Sequence, residues 1–321
     1  MEEKKKLKAL CISGGGSKGA FGGGVAQYLI EEEKKEYDLL IGTSTGSLLV
    51  PFIAIKKMDT LKEVYTTVTQ KDIFKINPFK VKSDTNGVVK VGINFKNVLW
   101  NILIRRKKSF GDASNLKKLI RGFMSEKDYR KIKDSGREVI CTTTNLTLGV
   151  PEYKSTKEYG YKDFCDWTLA SATVPPFMEV VEKDGYEYAD GAILEHAAIQ
   201  EAINRGAKEI DVIILRKEES ELPPELIRNA FHYIFRTIDL MMLEIGRSDI
   251  QIGKLKAKDE DVKLNFYYTP RKLTNNSLIF NKENMASWWE EGYISAQKRF
   301  CKTYTLSGKK KPKLFYDGTI S

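Results

Sequence analysis

Histidine, cysteine and long apolar runs are all scarce in this chain, and each scarcity removes a class of protein. There are two histidines and four cysteines in 321 residues. Cys11, Cys141, Cys165 and Cys301 stand far apart, with neither metal-ligand nor disulfide-framework spacing, so no metal site is expected and a reducing compartment suits them. No apolar stretch reaches the roughly 20 residues that a membrane-spanning helix needs. Met1 to Lys6 lead straight into an apolar run and leave no room for a cleavable leader, which sets the expectation of a cytoplasmic protein. Internal repeats and low-complexity tracts are missing as well.

What remains is an ordinary globular composition with a bias of sign. The chain is 41% hydrophobic, ample for a large core, and carries a formal net charge of +10. An anionic partner is therefore in prospect, but charge alone does not choose between a membrane surface and a nucleic acid. Two basic clusters contribute, Arg105 to Lys108 and Lys309 to Lys311 with Lys313, and only the first adjoins a long apolar segment.

Apolar runs at Ala9–Ile12, Leu39–Ile41, Glu138–Cys141 and Ile210–Leu215 alternate with helical patterns at Phe21–Ile30, Ser47–Lys57, Trp167–Thr173 and Ala197–Asn204. Such alternation predicts an α/β fold, a mostly parallel sheet with helices on both faces. The charged stretch Lys217–Glu225, with Pro223 and Pro224, predicts the end of a core domain over residues 1–216, interrupted by an insertion or lid near 71–112. Residues 217–321 are expected to form a mainly helical extension packed on that core. Within it, Ile227, Ala230, Phe231, Ile234, Phe235, Ile238, Met241, Met242 and Ile245 recur at helical spacing and predict a core-facing stripe, with Arg228, His232 and Arg236 turned to solvent.

Two glycine-rich turns follow the first two predicted strands. In Gly14-Gly15-Gly16-Ser17-Lys18-Gly19, glycines let the backbone aim several N–H groups at one point, where the charge of a tetrahedral acyl intermediate develops. In Gly42-Thr43-Ser44-Thr45-Gly46, flanking glycines relieve crowding around a sharp strand-to-helix turn that lifts the Ser44 hydroxyl above the sheet. A serine nucleophile needs a proton acceptor. His232 is assigned to solvent, and His196 lies six residues after Asp190, where it either caps a helix or tunes the aspartate, the capping reading being preferred. Asp190 ends the alternating run Tyr186–Ala189 and can itself act as base, provided that burial raises its pKa from about 3.9 or the alkoxide is well stabilised.

Together with Ala170-Ser171-Ala172-Thr173-Val174-Pro175-Pro176-Phe177 and Asp190-Gly191-Ala192, these turns resemble, in order and spacing, the four blocks of patatin-like phospholipases, over about residues 8–215. The resemblance implies a patatin-like three-layer α/β/α sandwich and a lipid acyl hydrolase working through a serine–aspartate dyad without cofactor or metal. It implies Ser44 as nucleophile, Asp190 as base, Gly14, Gly15 and Gly16 as oxyanion loop, and Lys18, at the family's Arg/Lys position, as a substrate-binding residue. Phospholipid or a related lipid ester is then the expected substrate and an anionic membrane surface the expected partner, with no nucleic acid. Two departures stand out: Ala192 replaces a glycine usual after the aspartate, and Glu195-His196 occupies a place where small polar residues are common.

Rival readings fare worse. Gly14-x-Gly16-x-x-Gly19 also fits a dinucleotide fingerprint, but Asp38 precedes the second strand instead of ending it, at the wrong end of the sheet for a ribose. A P-loop would need a hydroxyl residue directly after its lysine, and Gly19 follows Lys18. In an α/β-hydrolase the serine elbow comes after several strands, whereas one strand and one helix fit before Leu39. A catalytically silent lipid- or nucleotide-binding protein remains as the alternative. Finally, Phe95, Val98, Leu99, Ile102 and Leu103, widened by Trp100 and Ile104 and followed by Arg105 to Lys108, predict either an interfacial helix or a lid.

Overall fold

The computed structural model describes residues 6–83, 89–218, 227, 230–298 and 301–304. The basic tail at Lys309–Lys313, Arg228 and the Pro223–Pro224 segment lie outside them. In chain order the strands are β1 (Lys8–Ile12), β2 (Leu39–Thr43), β3 (Phe79–Ser83), β4 (Val89–Ile93), β5 (Glu138–Asn145), β6 (Val150–Ser155), β7 (Val181–Lys183), β8 (Tyr186–Asp190), β9 (Glu209–Ile214), β10 (Lys263–Tyr268) and β11 (Cys301–Tyr304). The helices are α1 (Gly19–Glu31), α2 (Thr45–Ala54), α3 (Met58–Thr67), α4 (Gln70–Ile73), α5 (Phe95–Leu99), α6 (Ser114–Phe123), α7 (Glu126–Asp134), α8 (Tyr161–Ser171), α9 (Ile199–Asn204), α10 (Ala230–Asp259) and α11 (Lys282–Gln297).

Nine of the strands form one sheet in the order β11-β10-β9-β1-β2-β5-β8-β7, with β6 on the other edge of β5. From β10 to β5 the pairing is parallel, and the outer strands are antiparallel. Both faces are covered, which is why the central strands read as unbroken apolar runs. In β1, Leu10 and Ile12 face a core shared with Phe21, Leu29, Leu49 and Ile53, whereas Ala9 and Cys11 face the opposite core with Ile199, Ile203 and Ile250. The expected mixed α/β sandwich with a mostly parallel central sheet and a helical C-terminal region is present.

The residues beyond 216 do more than pack helices on this sheet. β10 pairs in parallel with β9, and β11 closes the edge. α11 lies backbone to backbone against α1: a Cβ built at Gly24 would sit 1.9 Å from the Trp289 carbonyl oxygen, and one at Gly292 would sit 2.1 Å from that of Phe21. Only glycine permits helices to approach that closely, so Gly23 and Gly24 in α1 serve as a docking track for α11, while Gly22 faces Leu49, Ile213 and Leu215.

The register of β5 determines what meets above the sheet. β2 runs parallel to β5 and ends with Thr43 opposite Thr142, while β8 runs antiparallel and ends with Asp190 opposite Thr143. Because β6 occupies the other edge of β5 at both positions, β2 and β8 share one edge and meet end to end there. The residue that follows Thr43 is thereby delivered next to Asp190, although 146 positions of sequence separate them.

Candidate active site

Ser44 stands in the turn between β2 and α2 with φ 55° and ψ −123°, a backbone conformation that a non-glycine residue adopts only when its surroundings enforce it. Gly42 and Gly46 make the turn possible, since a Cβ on Gly42 would collide with the Gly46 carbonyl carbon at 2.3 Å and one on Gly46 with the Ile12 oxygen at 2.2 Å. The amide of Ser44 donates to Ser171 Oγ at 3.0 Å, so the end of α8 holds the turn from behind. Its hydroxyl donates to Asp190 Oδ2 at 2.6 Å. The other carboxylate oxygen, Oδ1, accepts from the Ala192 amide at 2.8 Å, and the Asp190 amide donates to the Thr173 carbonyl at 2.8 Å. Asp190 is 1% exposed. Burial pushes its carboxyl up to about 7, against the opposing pull of the Ser44 hydroxyl and the Ala192 amide.

The glycine loop between β1 and α1 closes over this pair. A Cβ on Gly14 would lie 3.3 Å from the Ser44 Cβ. The Gly14 N–H is already committed, donating to the His196 carbonyl at 3.1 Å, and Ser17 N–H donates to the Ser277 carbonyl at 2.8 Å. Between these two anchors the N–H groups of Gly15 and Gly16 have no acceptor among the described residues. Thr45, the first residue of α2, presents a further N–H of the kind that a helix start leaves open.

His196 contributes through its backbone. Its N–H donates to Asp249 Oδ2 at 2.6 Å, its carbonyl holds Gly14, and its Nε2 would lie 3.7 Å from a Cβ on Gly14. Burial, then the nearby Arg216 and Lys18 charges, pull the imidazole down to about 3, so the ring is neutral at physiological pH.

Ser44, Asp190, Gly15, Gly16, Thr45 and His196 line one cavity of about 1000 Å³, at the upper end of the range of about 300–1,000 Å³ usual for small-molecule sites. One part is apolar, walled by Phe52, Leu61, Leu116, Ile120 and Met124, with Val174, Phe177 and Met178 from the Pro175-Pro176 block also lining the cavity. The other part is polar and holds Lys18, Arg216, His232, Arg236, Asp239 and Lys272. Lys18 is half-buried, and burial lowers its ammonium to about 8, helped by Arg216 and Lys272 and opposed by Asp239. His232 corrects the expectation drawn from helical spacing. It lines the cavity together with Phe235, Arg236, Asp239 and Met242, while Met241 of the predicted core stripe is 56% exposed. Ile234, Phe235 and Ile238 of the predicted stripe do pack on the core, Phe235 stacking on Phe177 at 4.9 Å, and the cavity extends past the edge of that stripe to His232 and Asp239, at i−3 and i+4 from Phe235.

The segment Phe95–Ile104 divides between α5 and a π-helical turn over Trp100–Ile104. Val98 and Asn101 are buried, whereas Phe95, Leu99, Trp100, Leu103 and Ile104 are all more than half exposed, from 53% to 65%. The basic run that follows is largely paired: Arg105 with Asp112 at 2.7 Å, Lys107 with Glu179 at 2.9 Å, and Lys108 with Glu187 at 2.9 Å.

A strained serine elbow and a glycine loop at the C-terminal ends of parallel strands, beside a buried carboxylate at the end of antiparallel β8, place this molecule among α/β proteins whose sites sit on the strand ends. Residues 10–203 match the family model described as patatin-like phospholipase, and the chain belongs to that lipid hydrolase family. A comparison with curated proteins returned no match. Among solved structures, VipD from Legionella pneumophila superposes with a TM-score of 0.51 at 14% identity, covering 94% of this chain and 68% of that one. The type III effector protein ExoU gives a TM-score of 0.40 at 11% identity, covering 94% of this chain and 55% of ExoU. Among the described residues no helix is long and apolar enough to cross a membrane, and no cluster of His, Cys, Asp and Glu is arranged to hold a metal ion.

Proposed function

We propose that the protein hydrolyses acyl esters of phospholipids or related lipids through an acyl-Ser44 intermediate. The observation that carries this reading is the 2.6 Å hydrogen bond from Ser44 Oγ to the buried Asp190 carboxylate, facing a cavity with a long apolar wall. Asp190 takes the hydroxyl proton as Oγ attacks the ester carbonyl, forming a C–O bond to serine and an oxyanion. The N–H groups of Gly15 and Gly16 face that charge, Thr45 adds a third donor, and Gly14 and its tie to His196 keep the loop in place. Collapse of the intermediate breaks the bond to the glycerol oxygen, which leaves with the proton held by Asp190. Water then gives its proton to Asp190 while attacking the acyl-serine, and the fatty acid departs as Ser44 recovers the proton.

The apolar side chains around Trp100 provide the contact with a bilayer surface from which the substrate is drawn. With Arg105, Lys107 and Lys108 paired to carboxylates of the same molecule, that contact relies on inserted apolar area more than on attraction to anionic headgroups. Mass spectrometry of products released from a mixed lipid extract tests the assignment. Wild type should liberate free fatty acid and lysolipid and should label with a fluorophosphonate probe, whereas Ser44→Ala should do neither. A wild type that is folded yet inert in both assays returns the chain to the silent binding-protein reading.

A further inference from the structure

Arg216 is half-buried beside the glycine loop. It follows Leu215, whose Cβ would be 2.7 Å from a Cβ on Gly15, so it stands one residue from the wall of the candidate oxyanion site. Its carbonyl accepts from Thr269 N–H at 3.1 Å and its Nη1 donates to the Leu243 carbonyl at 2.7 Å. Its Nε is buried with no acceptor, and among the described residues no carboxylate comes within 4.0 Å of its guanidinium. Asp249 acts on it only from beyond ion-pair distance and accepts two backbone N–H groups, from His196 and Ala197. Gly246 keeps the space beside the guanidinium clear, where a Cβ would sit 3.3 Å from Cζ. Desolvating a cation is costly unless an anion compensates it. Lys18 and Lys272 face the same part of the cavity, and Asp239 is the carboxylate among the described lining residues there.

Resting on the hydrolase reading, we infer that Arg216 and Lys272, together with Lys18, form a subsite for the phosphodiester of the substrate headgroup. The cavity thereby selects phospholipids over neutral acylglycerols. In a glycerophospholipid the phosphate lies only a few bonds from the ester carbonyls, so a phosphate held by these residues leaves an ester at Ser44 and the acyl chain against the apolar wall. Arg216 supplies forked donors and Lys272 and Lys18 supply charge, and all three act on phosphate but on nothing in a diacylglycerol.

The test compares dihexanoylphosphatidylglycerol with dihexanoylglycerol, both monomeric in solution. The ratio of kcat/KM for the phospholipid over the glyceride should fall about 10- to 100-fold in Arg216→Met and in the exposed Lys272→Met, and Arg216→Lys should recover part of it. A ratio that stays within threefold of wild type in folded Lys272→Met and Arg216→Met overturns the subsite. Calorimetric binding to Ser44→Ala decides the same question without turnover: the phospholipid should bind at least tenfold tighter than the glyceride, and the two substitutions should abolish that difference. Inorganic phosphate separates the sources of the anion. It should bind far more weakly than the lipid, and phosphate binding as tightly as the phospholipid would make this a free-anion site instead. If neither ester is hydrolysed by wild type, the hydrolase reading fails, while the binding measurement still decides the subsite.

Discussion

Replacing Asp190 by asparagine should abolish turnover and at the same time make the protein more stable above neutral pH. The carboxyl is 1% exposed and burial raises it from 3.8 to about 7. Its folded-state pKa therefore lies above its unfolded value, and the folded chain binds the extra proton between the two. The contribution is fully favourable below pH 4 and is lost as pH rises to 7, beyond which the buried charge is carried in full. About three pKa units at roughly 1.4 kcal/mol each give a penalty of about 4 kcal/mol at pH 8, and less than half of that at pH 5. Asparagine keeps both local hydrogen bonds, its Oδ1 accepting from Ala192 N–H and its Nδ2 donating to Ser44 Oγ, without carrying the charge. Urea unfolding of both proteins from pH 4.5 to 8.5 measures the difference, which should widen in favour of Asp190→Asn by about 2–3 kcal/mol across the range. A difference that stays constant with pH would refute the buried-carboxylate argument. In wild type the same titration should appear as an acid limb in kcat/KM near pH 7, because the base works only when ionised.

Three further outcomes follow from the geometry. Gly15→Ala drives a methyl to 2.7 Å from the Leu215 side chain and should displace the loop, lowering kcat by about 100-fold or more while fluorophosphonate labelling slows in proportion. Trp100→Asp combined with Leu103→Asp should lower hydrolysis of zwitterionic vesicles at least tenfold and leave a short soluble ester within about twofold, since each apolar side chain contributes roughly 1–2 kcal/mol of insertion; equal losses on both substrates would remove the interfacial role. Gly24→Ala meets the Trp289 carbonyl at 1.9 Å and should destabilise the fold by about 1–3 kcal/mol in chemical denaturation, although the site lies elsewhere; an unchanged midpoint would show that α11 does not dock on α1 as described.

The residues whose chemistry is local were the most legible. Ser44, Gly15 and Gly16 sit in turns where residue type, spacing and the preceding apolar strand all carry information, and Asp190 ends a strand with a recognisable alternation. What could not be read is which partners arrive from far along the chain. No feature near Gly14 announces that the carbonyl of His196, 182 positions later, takes its N–H. The solvent assignment of His232 failed because a helical pattern defines the apolar stripe but not a polar cavity along its edge: Phe235 packs on Phe177 as the stripe predicts, while His232 beside it lines the cavity. Gly23 and Gly24 read as weak helix formers until Trp289 of α11 explains them. Arg216 went unnoticed because a single cation after a strand has no signature until its neighbours in the fold are seen, among which, in the described residues, no carboxylate lies within ion-pair distance.

The anchoring of Ser17 N–H on the Ser277 carbonyl has a consequence for the order of synthesis. On a ribosome, the serine and its carboxylate emerge long before the stretch around residue 277 that fastens the glycine loop, and before α11 settles on α1. The growing polypeptide thus carries its reactive groups in an unassembled state until that late stretch has been made. On the proposed hydrolase reading, competence comes only once that late stretch has fastened the glycine loop.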